Sequence, residues 1–132
     1  MPIVEFSESD LLRGKLLPPA WYLISVDEVK EWEPSKDRQS NNCIMECTVI
    51  KNADNGQTEG IAGVPLMLQF NDKKSARGFI EGFLRALGVE VEATRYDLAN
   101  AKGKTVEAFV ENNEFEGRVR NRVNHKYRKP RE

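Results

Sequence analysis

The stretch 63–88, GVPLMLQFNDKKSARGFIEGFLRALG, changes its hydrophobic period partway along, and that change decides the fold class. Val64, Leu66, Leu68 and Phe70 alternate with Pro65, Met67 and Gln69. Successive side chains of a strand point to opposite faces, so this alternation predicts a strand over 63–70 with one buried face. Beyond Asn71-Asp72, the residues Ala76, Phe79, Ile80, Phe83, Leu84 and Leu87 recur at spacings of three and four. That is the apolar stripe of a helix lying against a sheet. Asn71 or Asp72 can cap its start, and Gly88 stands where a left-handed stop belongs. Gly78 and Gly82 each cost about 1 kcal/mol relative to Ala within a helix. Both lie beside the stripe, so close backbone packing is the expected compensation, with a small-residue dimer face as the alternative.

Upstream of this stretch the period is two. Tyr22, Ile24 and Val26 mark a first strand within 20–32, and Cys43, Met45, Cys47 and Val49 mark a second over 43–51. A polar loop at 33–42 separates them, and Asp54-Asn55-Gly56 signals a turn before the third strand. Downstream, a connector over 89–103 carries turn signals at Asp97-Leu98 and Lys102-Gly103. Val106, Ala108 and Val110 then define a fourth strand over 105–111. Asn112-Asn113-Glu114 reads as a tight turn, and 116–124 as a fifth strand. Residues 1–19 form an N-terminal arm whose Leu11, Leu12, Leu16 and Leu17 are expected to cover part of the core, before Pro18-Pro19 ends any helix begun there. The expected organisation is this arm, a domain over 20–124 and a basic tail over 125–132. Three strands, a helix and two strands is the element order of the OB-fold, so the expected fold is mainly β: a five-stranded OB-like barrel with one amphipathic helix between strands three and four.

Charge divides unevenly along the chain. Residues 118–132 hold seven Lys or Arg and one acid, whereas the other 117 residues hold 13 basic and 20 acidic side chains, so a net of +6 is set against −7. Arg118, Arg120 and Arg122 alternate with Val119 and Asn121, which places three guanidiniums on one face of a strand. Such a row suits a polyanion. The plainer reading is a solvated edge strand whose charges discourage aggregation.

Catalysis has little to stand on. The lone histidine, His125, sits among cations with no carboxylate to orient it, so a nucleophile–histidine pair is not expected. Phosphate-loop and dinucleotide glycine patterns are absent. Cys43 and Cys47 would lie about 13 Å apart on one strand face, beyond disulfide reach and poorly placed for zinc. Buried reduced thiols of a cytosolic protein are expected. Acids are plentiful, but no pair has the spacing of a metal-dependent nuclease. No enzyme activity, metal or cofactor is expected. No apolar run is long enough to span a membrane, and the first residues lack the pattern of a secretory signal.

Binding fits better. Trp32 and Tyr127 stand beside cations and could stack bases. Lys36, Arg38, Arg118, Arg120, Arg122, Lys126 and Arg128 could track phosphates. The expected ligand is single-stranded DNA, bound largely without regard to sequence; RNA fits the same arrangement. The competing reading is a protein-interaction or structural module that forms a homo-oligomer without nucleic acid.

Several segments add a resemblance. Leu17-Pro18-Pro19-Ala20-Trp21-Tyr22-Leu23-Ile24, Phe83-Leu84-Arg85-Ala86-Leu87-Gly88, Asp97-Leu98 with Lys102-Gly103-Lys104, and Gly117-Arg118-Val119-Arg120-Asn121-Arg122-Val123 resemble segments of small phage-encoded proteins catalogued as a domain of unknown function. The resemblance covers roughly 17–124. That family is regarded as OB-like and single-stranded-DNA-binding, and its genes often lie beside those for phage replication and recombination. The resemblance therefore implies a role in phage DNA replication or recombination, in the cytoplasm of a bacterial host. Gly117, Arg118 and Asn121 match the family's closing pattern, which implies a structural turn and a DNA-facing strand. The chain departs from bacterial single-strand binders, whose tails are acidic and recruit partners. Its own basic end implies a direct grip on DNA instead.

Overall fold

A computed structural model describes residues 15–36, 38–88 and 98–130. Its elements are strands β1 (Ala20–Val29), β2 (Glu33–Pro34), β3 (Asn41–Asn52) and β4 (Pro65–Asn71), helix α1 (Arg77–Leu87), and strands β5 (Thr105–Phe115) and β6 (Arg118–Arg128). Short 3-10 turns, Lys74–Ala76 and Leu98–Ala101, precede α1 and β5. The fold is mainly β. All ladders are antiparallel: β1 pairs with β3 on one side and β5 on the other, β3 carries β4 on its far edge, and β6 pairs with β5.

The alternating positions form the core. Tyr22, Ile24, Val26, Met45, Val49, Leu68, Phe70, Val106, Ala108 and Val110 are all buried, and Ile80, Phe83 and Leu84 close over them from α1. Cys43 and Cys47 are buried free thiols. Burial, with the charge of Asp27 behind it, pushes the Cys47 thiol up to about 12, so it stays protonated and unreactive.

The structure corrects the expected barrel in two ways. Among the described residues it has six strands, because Glu33-Pro34 prolongs the β1–β3 hairpin in the stretch expected to be a loop, pairing with Asn42 and Asn41. Its sheet is open rather than closed, since no ladder joins β4 to β6 among the described residues. Aromatic rings link those two strands instead. Phe70 of β4 meets Phe83 of α1 at 4.8 Å between centroids, and Phe83 meets Tyr127 of β6 at 4.9 Å.

Helix α1 also departs from expectation at its start. Asn71 Oδ1 accepts the Lys73 N–H (2.8 Å) just ahead of the 3-10 turn, which has no side-chain cap, while Asp72 accepts the Asn41 N–H (2.7 Å) and side-chain amide (2.9 Å). The α-helical part therefore begins later, at Arg77, with no side-chain cap. Gly88 ends it in the left-handed conformation (φ 82°), with its N–H on Arg85 O. Gly78 and Gly82 are exposed, and a Cβ at either would meet nothing within 4 Å, so close packing does not compensate for them. Phe79, expected in the stripe, is 50 % exposed.

Of the N-terminal leucines, Leu11 and Leu12 lie outside the described residues, Leu16 is exposed and Leu17 is buried. The 15–17 segment is pinned to the β5–β6 hairpin. The Leu17 N–H donates to Asn121 Oδ1 (2.8 Å), Asn112 Nδ2 donates to Leu17 O (3.0 Å), and Asn121 Nδ2 donates to Lys15 O (2.6 Å).

Candidate nucleic-acid interface

The hairpin of β5 and β6 is longer than its sequence suggests. Asn112 and Asn113 continue β5, and the chain reverses at Glu116-Gly117, where both residues have positive φ (52° and 78°). That backbone matches the twist of the flanking strands, so two residues suffice for the reversal. Only 105–110 pair with β1, so 111–122 project beyond it as a two-stranded arm.

Register fixes the arginines. Arg118, Arg120 and Arg122 stand opposite Phe115, Asn113 and Glu111 at alternate positions, hence on one side of the arm, and all three are exposed. Among the described residues Arg118 and Arg122 make no ion pair. At the open side of the sheet, Arg120 and Arg122 line a depression of about 420 Å³ with Pro65, Met67, Asn113 and Val119. A second depression, about 470 Å³, holds Arg122 again, with Gln69, Asn71, Phe79 and His125. Together they form a groove along β4 and β6. No Asp or Glu lines either depression among the described residues, in a chain with 21 acids. Met67 (65 % exposed) and Phe79 supply apolar surface within it.

The other half of β6 differs. The expected tail is not a tail up to Arg128: the strand continues through it, pairing Tyr127 with Ala108 and Arg128 with Glu107. Two extra residues around His125 bulge the strand between these pairs and those at Val123, and His125 takes a left-handed φ of 54°. Arg128 donates to the buried Glu107 carboxylate and to Asp54 (2.8 Å), with its guanidinium 4.2 Å from the centre of the Trp21 ring. Lys126 lies 3.8 Å from Glu111 and 5.5 Å from the centre of the Phe109 ring. Tyr127 packs against Phe83 and Phe70, and burial raises its hydroxyl pKa. The expected roles of Tyr127 as a stacking platform and of Arg128 as a phosphate contact are thus corrected: both side chains are spent on the fold.

Trp32, Lys36 and Arg38 are exposed around the loop between β2 and β3. The base of that loop is tied to β4, since Asn71 Nδ2 donates to Ser40 Oγ and Asn42 Oδ1 (2.8 Å each). The loop therefore flanks the Asn71 end of the groove, and none of the three lines either depression.

Two residues that the sequence reading did not select stand inside the groove. Phe79 stacks on His125 with ring centres 4.8 Å apart and planes 21° from parallel. The His125 ring also contacts Phe70 (5.1 Å), and its Nδ1 lies 3.0 Å from Tyr127 Oη. Burial, then the charge of Arg122, lowers the His125 pKa and favours the neutral ring. The missed signal was the run Val123-x-His125-x-Tyr127, which extends the alternation of β6 through residues that look like a solvated tail.

Among the described residues no three His, Cys, Asp or Glu come together where they could hold a metal ion, and no helix is long and apolar enough to cross a membrane. Compared with models of known protein families and with curated proteins, the chain matches none.

Proposed function

We propose that this chain binds single-stranded nucleic acid, DNA foremost, along the groove between β4 and β6, with little regard to sequence and without catalysis. One observation carries the reading: the groove joins exposed arginines, an aromatic pair and apolar surface in a lining free of carboxylates. Cations neutralise phosphates, and rings and thioethers accept the faces of any base. The site comprises Arg118, Arg120 and Arg122, with Trp32, Lys36 and Arg38 as flanking contacts from the loop.

The strand order also supports it. Leaving aside the two-residue β2, the sheet runs third, second, first, fourth, fifth, the order of an OB-fold, here left open between its outer strands. We read the chain as OB-like in this sense. With the resemblance to phage-encoded proteins, the role proposed is support of phage DNA replication or recombination in the cytoplasm of a bacterial host.

The test is a titration of labelled oligo-dT at two salt concentrations. Wild type binds single strands more tightly than duplex of equal length. The log of its affinity falls with log salt by about 0.7 for each phosphate contact, or about 2 for three arginines. Replacing Arg118, Arg120 and Arg122 together by Ala weakens binding roughly 100-fold in low salt and removes most of that slope. Equal affinity of the two proteins would defeat the assignment. A defined oligomer by light scattering, unchanged by oligonucleotide, would favour the interaction-module reading, for which the exposed Met67 and Val119 provide the apolar surface.

A further inference from the structure

Helix α1 exposes one large apolar residue, Phe79, and does so where it borders the groove. Its ring is not simply left over from an imperfect stripe. His125 lies stacked against it, and it does so from a backbone conformation that non-glycine residues seldom adopt, at the bulge that separates the two halves of β6. Bulges re-aim side chains beside functional sites. Here the bulge carries an aromatic ring to the wall of the groove, next to Arg122.

The amides around this pair are mostly committed elsewhere. Asn71 spends its side chain on Ser40, Asn42 and the Lys73 N–H. Asn121 spends its own on Leu17 and Lys15. Gln69 is the amide of the lining whose side chain makes no hydrogen bond among the described residues. A base entering here would meet ring faces and one adaptable amide, with no fixed set of donors and acceptors to read its edge.

We propose that Phe79, backed by His125, is the platform on which a nucleobase stacks, while Arg122 takes the adjoining phosphate. This rests on the single-strand reading above and names the base-contacting part of that site. It also explains the tolerance of sequence, because every base offers a π-face. The His125 ring stiffens the platform from behind and holds it at the arginine.

The experiment compares wild type, Phe79→Ala, Phe79→Trp and Arg122→Ala on two probes: oligo-dT, and an abasic strand of the same length with the same phosphates. Phe79→Ala should bind oligo-dT roughly ten-fold more weakly, keep the wild-type salt slope and bind the abasic strand as wild type does. Phe79→Trp should retain or improve binding to oligo-dT. Arg122→Ala should weaken both probes and reduce the slope by about 0.7. Thermal melts report folding, and a half-exposed ring should be removable without unfolding the domain. If wild type binds oligo-dT and Phe79→Ala binds it equally, or if Phe79→Ala loses the same factor on both probes, the platform is refuted while the single-strand reading stands. If wild type fails to bind oligo-dT at all, both fall together.

Discussion

The two halves of β6 carry similar charge in different surroundings. Arg118, Arg120 and Arg122 occupy the arm that projects past β1, opposite Phe115, Asn113 and Glu111, and no acid lines the two depressions along β4 and β6 among the described residues. Arg128 lies where β5 is itself paired with β1, opposite Glu107 and in reach of Asp54, and Lys126, at the bulge, reaches Glu111 at the base of the arm. A similar density of cations in the sequence thus becomes exposed charge in one half, where Arg118 and Arg122 make no ion pair among the described residues, and paired charge in the other. A basic run marks an anion-binding surface only where the fold does not supply its carboxylates.

This contrast is open to attack at its strongest point. Removing the three arginines should abolish most binding and leave stability near wild type, since exposed charges on an arm contribute little to folding. Arg128→Ala should do the reverse. It withdraws the guanidinium from the buried Glu107, exposes the Trp21 ring and should cost about 2 kcal/mol in urea unfolding. Binding of oligo-dT by the folded variant should stay within two-fold of wild type, on the order of 0.4 kcal/mol. Adding Glu107→Gln should recover part of the lost stability. A large loss of DNA binding with unchanged stability would show that the two halves form one surface.

How far these roles were legible in sequence varies by element. Tyr22, Ile24 and Val26, the Cys43–Val49 alternation and the Val106–Val110 set lie on the buried face, because a two-residue period has only one consistent way to enter a core. The hairpin turn was misplaced. Asn112-Asn113 has the composition of a reversal, but its first amide is used to hold the Leu17 carbonyl, a contact 95 residues away in sequence. The real reversal, Glu116-Gly117, needs only one glycine and one strained residue. Local pattern also could not reveal that Arg128 finds Asp54, 74 residues distant, or that Phe79 slips out of the stripe to meet a ring in β6. The arginines lie on one side of β6 as the alternation predicts, because that placement depends on strand periodicity alone. Tyr127 and Arg128 failed because their surroundings come from long-range pairing.

At the bulge between the halves, His125 offers a smaller, pH-dependent test. Its ring faces Phe79 from α1, Phe70 from β4, and Tyr127 and Arg122 from β6. Burial, then Arg122, holds its folded pKa below the ordinary 6.5. As pH falls past that value the unfolded chain takes up the proton first, so this residue's contribution to stability declines there and levels off below the folded pKa. Urea melts of wild type and His125→Asn should diverge at neutral pH and converge as pH drops from about 7 toward 5. Asn tolerates the left-handed backbone, so the substitution removes the titration without adding strain. Parallel pH profiles for the two proteins would mean that the ring is solvated and the platform loose.

The smallest expected effect sharpens the contrast from the side of Lys126. Its ammonium is 3.8 Å from Glu111, and both side chains are substantially exposed (58 % and 39 %), so water and salt screen the pair. Such pairs contribute about 0–1 kcal/mol. Its contact with the Phe109 ring, at 5.5 Å near the outer limit for such an attraction, adds about 0.5 kcal/mol. Lys126→Ala should therefore leave melting within about 1 kcal/mol of wild type, and the salt slope of oligo-dT binding should not change. A slope reduced by about 0.7 would make Lys126 a phosphate contact. The boundary between available and internal charge would then move past the bulge, so that Arg128 alone, the cation that reaches a buried carboxylate, would belong wholly to the fold.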